Sequence, residues 1–525
     1  MKHLPYLILF FLLTITISVI GQKNIWPKTF EGYAFQDIEK TYDNGFAFSG
    51  FKTNDLDVYF LGYGVLRKVD INGDILWEKL IGLNPPPAYT DLYCVNQTND
   101  GGYIVSGQFW GRDFDGGDVF IMKLNACGEL EWNTFIISDG PQICNDVYQL
   151  EDGSFLTTIG QWDLDQHPAD RIWLFKLSSQ GKIIWHKLQA DWNPIQNNER
   201  LSSFSKSPDD NYIISGSYFG YDNNYMQQPM FIKVDTAGNE IWHDVVTGSM
   251  NDPHEGRAFF GGCDSNGNFY SAGNHMNTGH LRAPVIYKIS NDGATLFAKD
   301  IFTEADSLER GITYDVKCMT DTTLFTFINW LTTYDSVFAY IYKLDSSGNT
   351  IARKIIDSSN SYYLPLGSAT TIDNKYVIVG SYANQSDDVW SSSFWKLQSN
   401  LEYDTIYTQQ FNYDSLCPYP ITNDTIPLDT TTVINLEHLW NDLKPMSIFP
   451  NPVKNKLNII INIVKWQQRQ LIIRDINGRE VINENIAPGS ANHQLDVSTL
   501  ENGIYVVSLL EKGKLLQTEK VVVSH

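Results

Sequence analysis

The chain of 525 residues is short of cysteine, of basic residues and of long apolar runs, and each shortage excludes something. Six cysteines are too few to staple a chain of this size, so disulfides cannot be its framework. With 38 Lys+Arg against 61 Asp+Glu the net charge is −23, and nucleic acid, whose phosphates demand cationic patches, is not an expected partner. Charged residues make up only 19% and hydrophobic residues 42%, which excludes a disordered or coiled-coil chain and is ample for a packed core. A nucleophile elbow, a phosphate loop, His-Glu-x-x-His and Cys-x-x-Cys are all missing, so no motif announces a reaction. Carboxylates are too numerous to nominate an acid and a base among them. Beyond residue 21 no stretch is long and apolar enough to cross a bilayer, and no transmembrane segment is expected in the mature chain. The first 21 residues, with Lys2 and His3 ahead of an apolar run from Leu7 to Ile20, read as a signal peptide cut between Gly21 and Gln22.

What the chain has is aromatics, glycine and repetition. It holds 28 Tyr, 28 Phe, 14 Trp and 38 Gly, a mixture that favours strands and turns. An apolar segment ending near Gly recurs at Gly50, Gly107, Gly160, Gly216 and Gly273, continues without its Gly at Ile328, and returns at Gly380. The spacing is 52 to 57 residues. A second block follows each copy and carries Lys68, Lys123, Lys176, Lys233, Lys288, Lys343 and Lys396. In the first six copies a Gly stands five residues after the Lys, and an aromatic stands four beyond it at Trp77, Trp132, Trp185, Trp242 and Phe297, lapsing at Ala352.

Each period therefore holds four short strands, joined first to second and third to fourth by tight Asp/Asn-Gly turns. Four-stranded units repeated around a ring are propeller blades. Trp26–Phe30 reads as a spare outer strand that closes the ring against the last blade. The pattern resembles the blade repeats of quinoprotein-like propellers and the delta-60 repeats of bacterial surface proteins, over Trp26 to Gln410. It lacks the Asp box of sialidases and the adjacent Cys pair of quinone dehydrogenases, so the resemblance speaks for fold and not for chemistry. The periodic Trp and Lys are expected to be structural, with Trp filling the space between blades and Lys laying its stem on apolar surface. In this register Cys127 and Cys144 lie at opposite ends of their strands and should not pair. Cys94 with Cys144, and Cys263 with Cys318, sit on neighbouring inner strands that are too far apart, so free buried thiols are expected.

Past Gln410 the composition shifts to Thr, Asp and Pro, and residues 411–445 read as a linker. Residues 446–525 hold 9 basic and 7 acidic residues, net +2, a charge step that supports a domain boundary. Alternating strands over this stretch suggest a small Ig-like β-sandwich. Ile448-Phe449-Pro450-Asn451-Pro452, Asp475-Ile476-Asn477-Gly478-Arg479, Leu500-Glu501-Asn502-Gly503-Ile504-Tyr505 and the closing Lys520-Val521-Val522-Val523 resemble the type A sorting domain of type IX secretion in Bacteroidetes. Pro450, Asn451, Pro452, Gly478, Gly503 and Tyr505 carry that resemblance. It implies the type IX machinery as a partner and a destination at the cell surface or in the medium. The expected organisation is thus a signal peptide (1–21), an all-β seven-bladed propeller (22–410), a linker (411–445) and a sorting domain (446–525).

Function should sit in the longer loops, between second and third strands and between successive blades, which share one face. Periodic aromatics fall there at Phe109, Trp162, Tyr218, His275, Trp330 and Tyr382, with Lys52 breaking the series. Of this periodic set packing is the expected role. Trp110, Trp162, Trp192, Tyr221, Trp330 and Trp390 are nevertheless the candidate ligand-binding residues, because flat rings beside Asp, Asn and Gln suit sugars. No cofactor is expected. His254, His275 and His280 cluster in sequence and are the weak candidates for Zn²⁺, though their spacing fits no ligand motif. The loop from Asp113 to Asp118 is the weak candidate for Ca²⁺, and a solvated acidic loop is the plainer reading. The sequence therefore points to an exported, non-catalytic propeller that binds glycan or a surface protein. A carbohydrate-active enzyme with its site in the same loops is the alternative.

Overall fold

The computed structural model describes residues 26–53, 62–82, 89–110, 117–138, 141–161, 171–189, 198–219, 227–246, 255–276, 282–301, 310–331, 337–357, 363–383, 390–428, 432–436, 446–461, 469–486 and 492–525. They are organised as β-strands. From Tyr33 to Leu397 the strands fall into seven four-stranded antiparallel units, with the first strand of unit 3 split into Gln142–Ile143 and Val147–Gln149. Units 1 and 2 are joined into one sheet through a single Gly62–Tyr89 bridge. Unit 7 takes its fourth strand from the other end of the chain: Lys28–Glu31 pairs antiparallel with Trp390–Leu397. That strand closes the ring, as the spare N-terminal strand suggested.

First strands of neighbouring units touch: Tyr33–Lys40 meets both Tyr89–Gln97 and Tyr363–Thr370. Asn198–Lys206 meets Glu255–Cys263, and Arg310–Thr320 meets both Glu255–Cys263 and Tyr363–Thr370. Between units 3 and 4 the Tyr148 hydroxyl donates to the Phe204 carbonyl at 3.2 Å. First strands are therefore innermost and fourth strands form the outer wall, the order of a β-propeller.

The repeated residues explain the joints. Lys68, Lys123, Lys176 and Lys233 reach back to the hairpin carboxylates Asp43, Asp100, Asp152 and Asp209 at 2.6–2.9 Å. These carboxylates also order the turn; Asp43, for one, accepts from the Thr41 hydroxyl and the Gly45 amide. The outer-strand aromatics lie on the next unit's turn glycine, so that a Cβ at Gly238 would stand 2.6 Å from Trp185 and one at Gly293 2.7 Å from Trp242. Glycine is needed there twice over, because both positions are left-handed, φ +75° and +94°. Trp132 and Trp242 also donate their indole N–H to backbone carbonyls of that neighbouring turn.

Residues 411–428 and 432–436 of the segment expected to be a linker form a strap on the ring, and the rest of that segment lies outside the described residues. The chain leaves unit 7 by the Lys396–Asp404 ion pair, exchanges two hydrogen bonds between Tyr407 and Asn72, and sets the Tyr413 hydroxyl on the Ile71 amide. The Asp414 amide donates to Asp43 at 2.9 Å, and Cys417 forms a disulfide with Cys127 in unit 2. Asp424–Ile426 then pairs in parallel with the outer strand Ile75–Ile81, and Val433–Asn435 with the outer strand Leu130–Ile137. Ile426, Leu428, Ile434 and Leu436 are buried in the cores beneath. Two expectations fall together. A Thr/Asp/Pro composition does not forbid docking on a sheet edge whose backbone groups seek partners. Cys127 is not free either; Cys94, Cys144, Cys263 and Cys318 are.

The tail from Met446 is built from two sheets. One holds Met446–Phe449, Lys456–Ile461 and Asn492–Asp496; the other holds Glu480–Ile486, Arg469–Asp475, Gly503–Glu511 and Lys514–Val523. Leu457, Ile459, Leu471, Ile473, Val507, Leu509 and Val521 fill a common core.

Candidate functional site

The second strands end, and the third strands begin, on the same rim of the ring. There Trp110 lies across the ladder from Tyr89. The Tyr89 ring meets Phe51 of unit 1 edge-on with centroids 5.1 Å apart, and Phe51 meets Trp390 of unit 7 in the same way at 5.7 Å. Four aromatic residues thus run along the rim over units 2, 1 and 7, with Trp110, Tyr89 and Trp390 half-buried and Phe51 beneath them.

Polar groups lie beside this row. Buried Asp91 accepts from the Gln36 side-chain amide and lies 3.5 Å from the Tyr89 hydroxyl. Burial pushes its carboxyl well above the usual range, and those hydrogen bonds offset the rise only in part. Burial pushes Asp118, at the head of the third strand of unit 2, up to about 6. Burial raises the Tyr89 phenol as well, and the neighbouring Asp91 adds to the rise.

Inside the ring, Asp37 and Glu39 of unit 1, Asp146 of unit 3 and Asp315 and Lys317 of unit 6 interact electrostatically. Enclosure by protein raises Asp37 to about 6 and Glu39 to about 7, with the nearby carboxylates adding to it and Lys317 opposing it. Among the described residues no group of three His, Cys, Asp or Glu is placed to hold a metal ion.

The sequence candidates separate. Trp110 and Trp390 come together through Tyr89 and Phe51. Trp330 does not join them: it is buried, and its indole donates to the Tyr342 hydroxyl at 2.9 Å inside the packing of unit 6. As a ligand-binding residue it is corrected to a core residue. Phe109 packs on Phe135, while Tyr218 and Tyr382 also lie against their units' cores. Lys52 breaks the series because it faces the Tyr33 ring and Glu78. Trp162, Trp192, Tyr221, His254, His280, Asp113, Gly21 and Gln22 lie outside the described residues, as does the side chain of His275 on the strand Phe269–Met276. Tyr89, Phe51, Asp91 and Gln36 were missed. The available signal was their position at strand ends, Phe51 directly after Gly50 and Tyr89 opening a first strand.

In the tail, the Asn451 side chain substitutes for a strand. Its amide donates to the Lys520 carbonyl at 2.8 Å and its oxygen accepts from the Val522 amide at 2.9 Å. Gly478 stands at φ +80° in a turn whose Asp475 carboxylate accepts from the Asn477 and Arg479 amides. The Tyr505 hydroxyl donates to the Glu501 carbonyl at 2.9 Å. A side chain at Gly503 would meet nothing closer than 3.7 Å, and its φ is not left-handed, so neither space nor backbone conformation requires glycine there.

Residues 447–524 match the family model described as "Secretion system C-terminal sorting domain". The tail is the sorting domain of type IX secretion, and it directs the chain to the cell surface or the extracellular space. Among curated proteins no match is found. Similar solved structures include the β-propeller domain of the Trilobed protease from Pyrococcus furiosus, 10% identical over 72% of this chain and 99% of that one, TM-score 0.40. A Hadza microbial sialidase is 10% identical over 64% of this chain and 74% of that one, TM-score 0.38. A protein of unknown function from Bacteroides caccae is 12% identical over 51% and 82%, TM-score 0.30. At these identities and TM-scores none of them bears on what this chain binds.

Proposed function

We propose that the exported ring is a non-catalytic binding module whose ligand is a glycan, held on the rim between Trp110 and Trp390. The observation that carries this reading is the row Trp110–Tyr89–Phe51–Trp390, in which Trp110, Tyr89 and Trp390 are half-buried over the buried Phe51 and flanked by polar side chains. Sugar rings present apolar C–H faces to aromatic surfaces and hydroxyl edges to amides and carboxyls, and the rim offers both. The test is glycan-array binding by the purified chain, then titration of Trp110→Ala and Trp390→Ala. Each substitution should weaken binding about tenfold, about 1.4 kcal/mol and within the roughly 0.5–1.5 kcal/mol of an aromatic contact. Binding that survives both changes unaltered refutes the rim as the site.

One observation favours a second reading, a carbohydrate-active enzyme. Asp91 is a buried carboxyl held towards its neutral form beside aromatic rings, the state a general acid needs. That reading expects released sugars from polysaccharide, abolished by Asp91→Asn with binding intact.

A further inference from the structure

The four motifs of the sorting domain are scattered from residue 448 to residue 523, yet they meet at one end of the tail. The Pro450-Asn451-Pro452 segment clamps the last strand through Asn451, and Val453 exchanges hydrogen bonds with Val522 and Ser524. Val522 pairs with Ile504, and Asp475 pairs with Tyr505, which brings the Asp475–Arg479 turn beside the start of the strand Gly503–Glu511. The terminal His525 amide donates to the Asn502 side chain, and its ring lies 2.7 Å from the Leu500 carbonyl. Folding thus brings four separate stretches to one end of the tail.

Several apolar motif side chains at that end stand largely in solvent. Ile476 is 76% exposed at the tip of its turn, Phe449 47%, and Ile504 42%, while their neighbours Asp475, Asn451 and Tyr505 carry the hydrogen bonds. Val506, on the same face as Ile504, is 37% exposed. An aliphatic side chain three-quarters in water loses nothing on replacement by a polar one, so packing does not account for it. The domain's task supplies the missing occupant, because an export signal has to be read by a protein.

We propose that Ile476, Ile504 and Val506 form the docking surface by which the type IX machinery recognises this chain, the partner offering an apolar cleft for these side chains. The proposal rests on the sorting-domain assignment. Asn451, the turn at Gly478 and the Tyr505–Glu501 bond are positioning elements that hold the patch together. Of the cationic side chains around it, Arg474 and Arg479 are paired with Glu480 and Asp475, while Lys520 stands exposed across the ladder from Val506.

The experiment follows the full chain in a host with type IX secretion, with Ile476→Lys/Ile504→Lys, the conservative Ile476→Val/Ile504→Val, and Leu515→Lys as a control. Leu515 is 55% exposed and pairs with Leu510, towards the other end of the same sheet. Surface plus medium protein, measured against periplasmic protein, should fall at least tenfold for the double lysine variant. The valine variant and the Leu515 control should stay near wild type, and all melting temperatures should lie within about 2 °C. Normal export of the double lysine variant overturns the proposed surface while deletion of 446–525 still blocks export. Normal export after that deletion overturns the sorting assignment itself. A double lysine variant that melts many degrees lower shows that the side chains belong to the fold, which also overturns the surface.

Discussion

Replacing Cys417 by Ser tests whether the strap is part of the ring. The Cys127–Cys417 bond links positions 290 residues apart and fastens residues that also lie on units 7, 1 and 2. A loop of this length would give roughly 6 kcal/mol in the chain-entropy model, and native disulfides measure about 2–4 kcal/mol, so about 3 kcal/mol is the working figure. Ring and strap together are roughly 400 residues, for which the unfolding entropy is about 0.8 kcal/mol per degree. The expected fall in melting temperature is therefore about 4 °C, read by tryptophan fluorescence. Hydrogen exchange supplies the local readout: the Phe135 amide, bonded to the Thr432 carbonyl, and the Gly82 amide, bonded to the Ile426 carbonyl, should lose protection. Dithiothreitol should reproduce both effects in the wild type and do nothing further to the variant. An unchanged melting temperature together with unchanged exchange at both amides would falsify the strap as a structural element. It would also restore the reading of these residues as a linker.

Lys68→Met should cost about 3–5 kcal/mol, because it leaves Asp43 buried and unpaired, and Lys68→Met/Asp43→Asn should recover much of the loss in denaturant titrations. Burial alone would raise Asp43, yet Lys68 and the hydrogen bonds from Asp414 and Thr41 hold it below the usual range. The pair's contribution is therefore present above about pH 4 and lost as pH falls through the lowered value, a dependence the double variant should not show. Glu39, raised to about 7 by burial, carries the opposite sign: the fold holds its proton more tightly than the unfolded chain does, so stability falls as pH rises from about 4.5 to 7. Melting curves at pH 5 and pH 8 should differ in that direction, and Glu39→Gln should narrow the gap; a variant with the full wild-type gap rules Glu39 out as its source.

Repetition made the ring legible before any coordinates. Strand spacing, turn glycines at Gly238 and Gly293 and the spare strand at Trp26–Phe30 all depend on local geometry or on a pattern that recurs every 52–57 residues. The tail motifs were legible for a related reason, since Asn451, Gly478 and Tyr505 each do a specific backbone job. Of the rim, Trp110 and Trp390 were readable as large rings in long-loop positions, whereas Trp330 belongs to the periodic set expected to pack, and it is core. Nothing in a single copy distinguishes a tryptophan that faces water from one that meets Tyr342.

The strap, its disulfide and the convergence of the tail motifs belong to the tertiary structure alone. Asp424–Ile426 and Val433–Asn435 dock by parallel backbone pairing on outer strands, and backbone hydrogen bonding leaves no side-chain signature to read. Composition reports how freely a segment moves when nothing is near it. What lies near residue 417 is Cys127, and only the closed ring brings the two together.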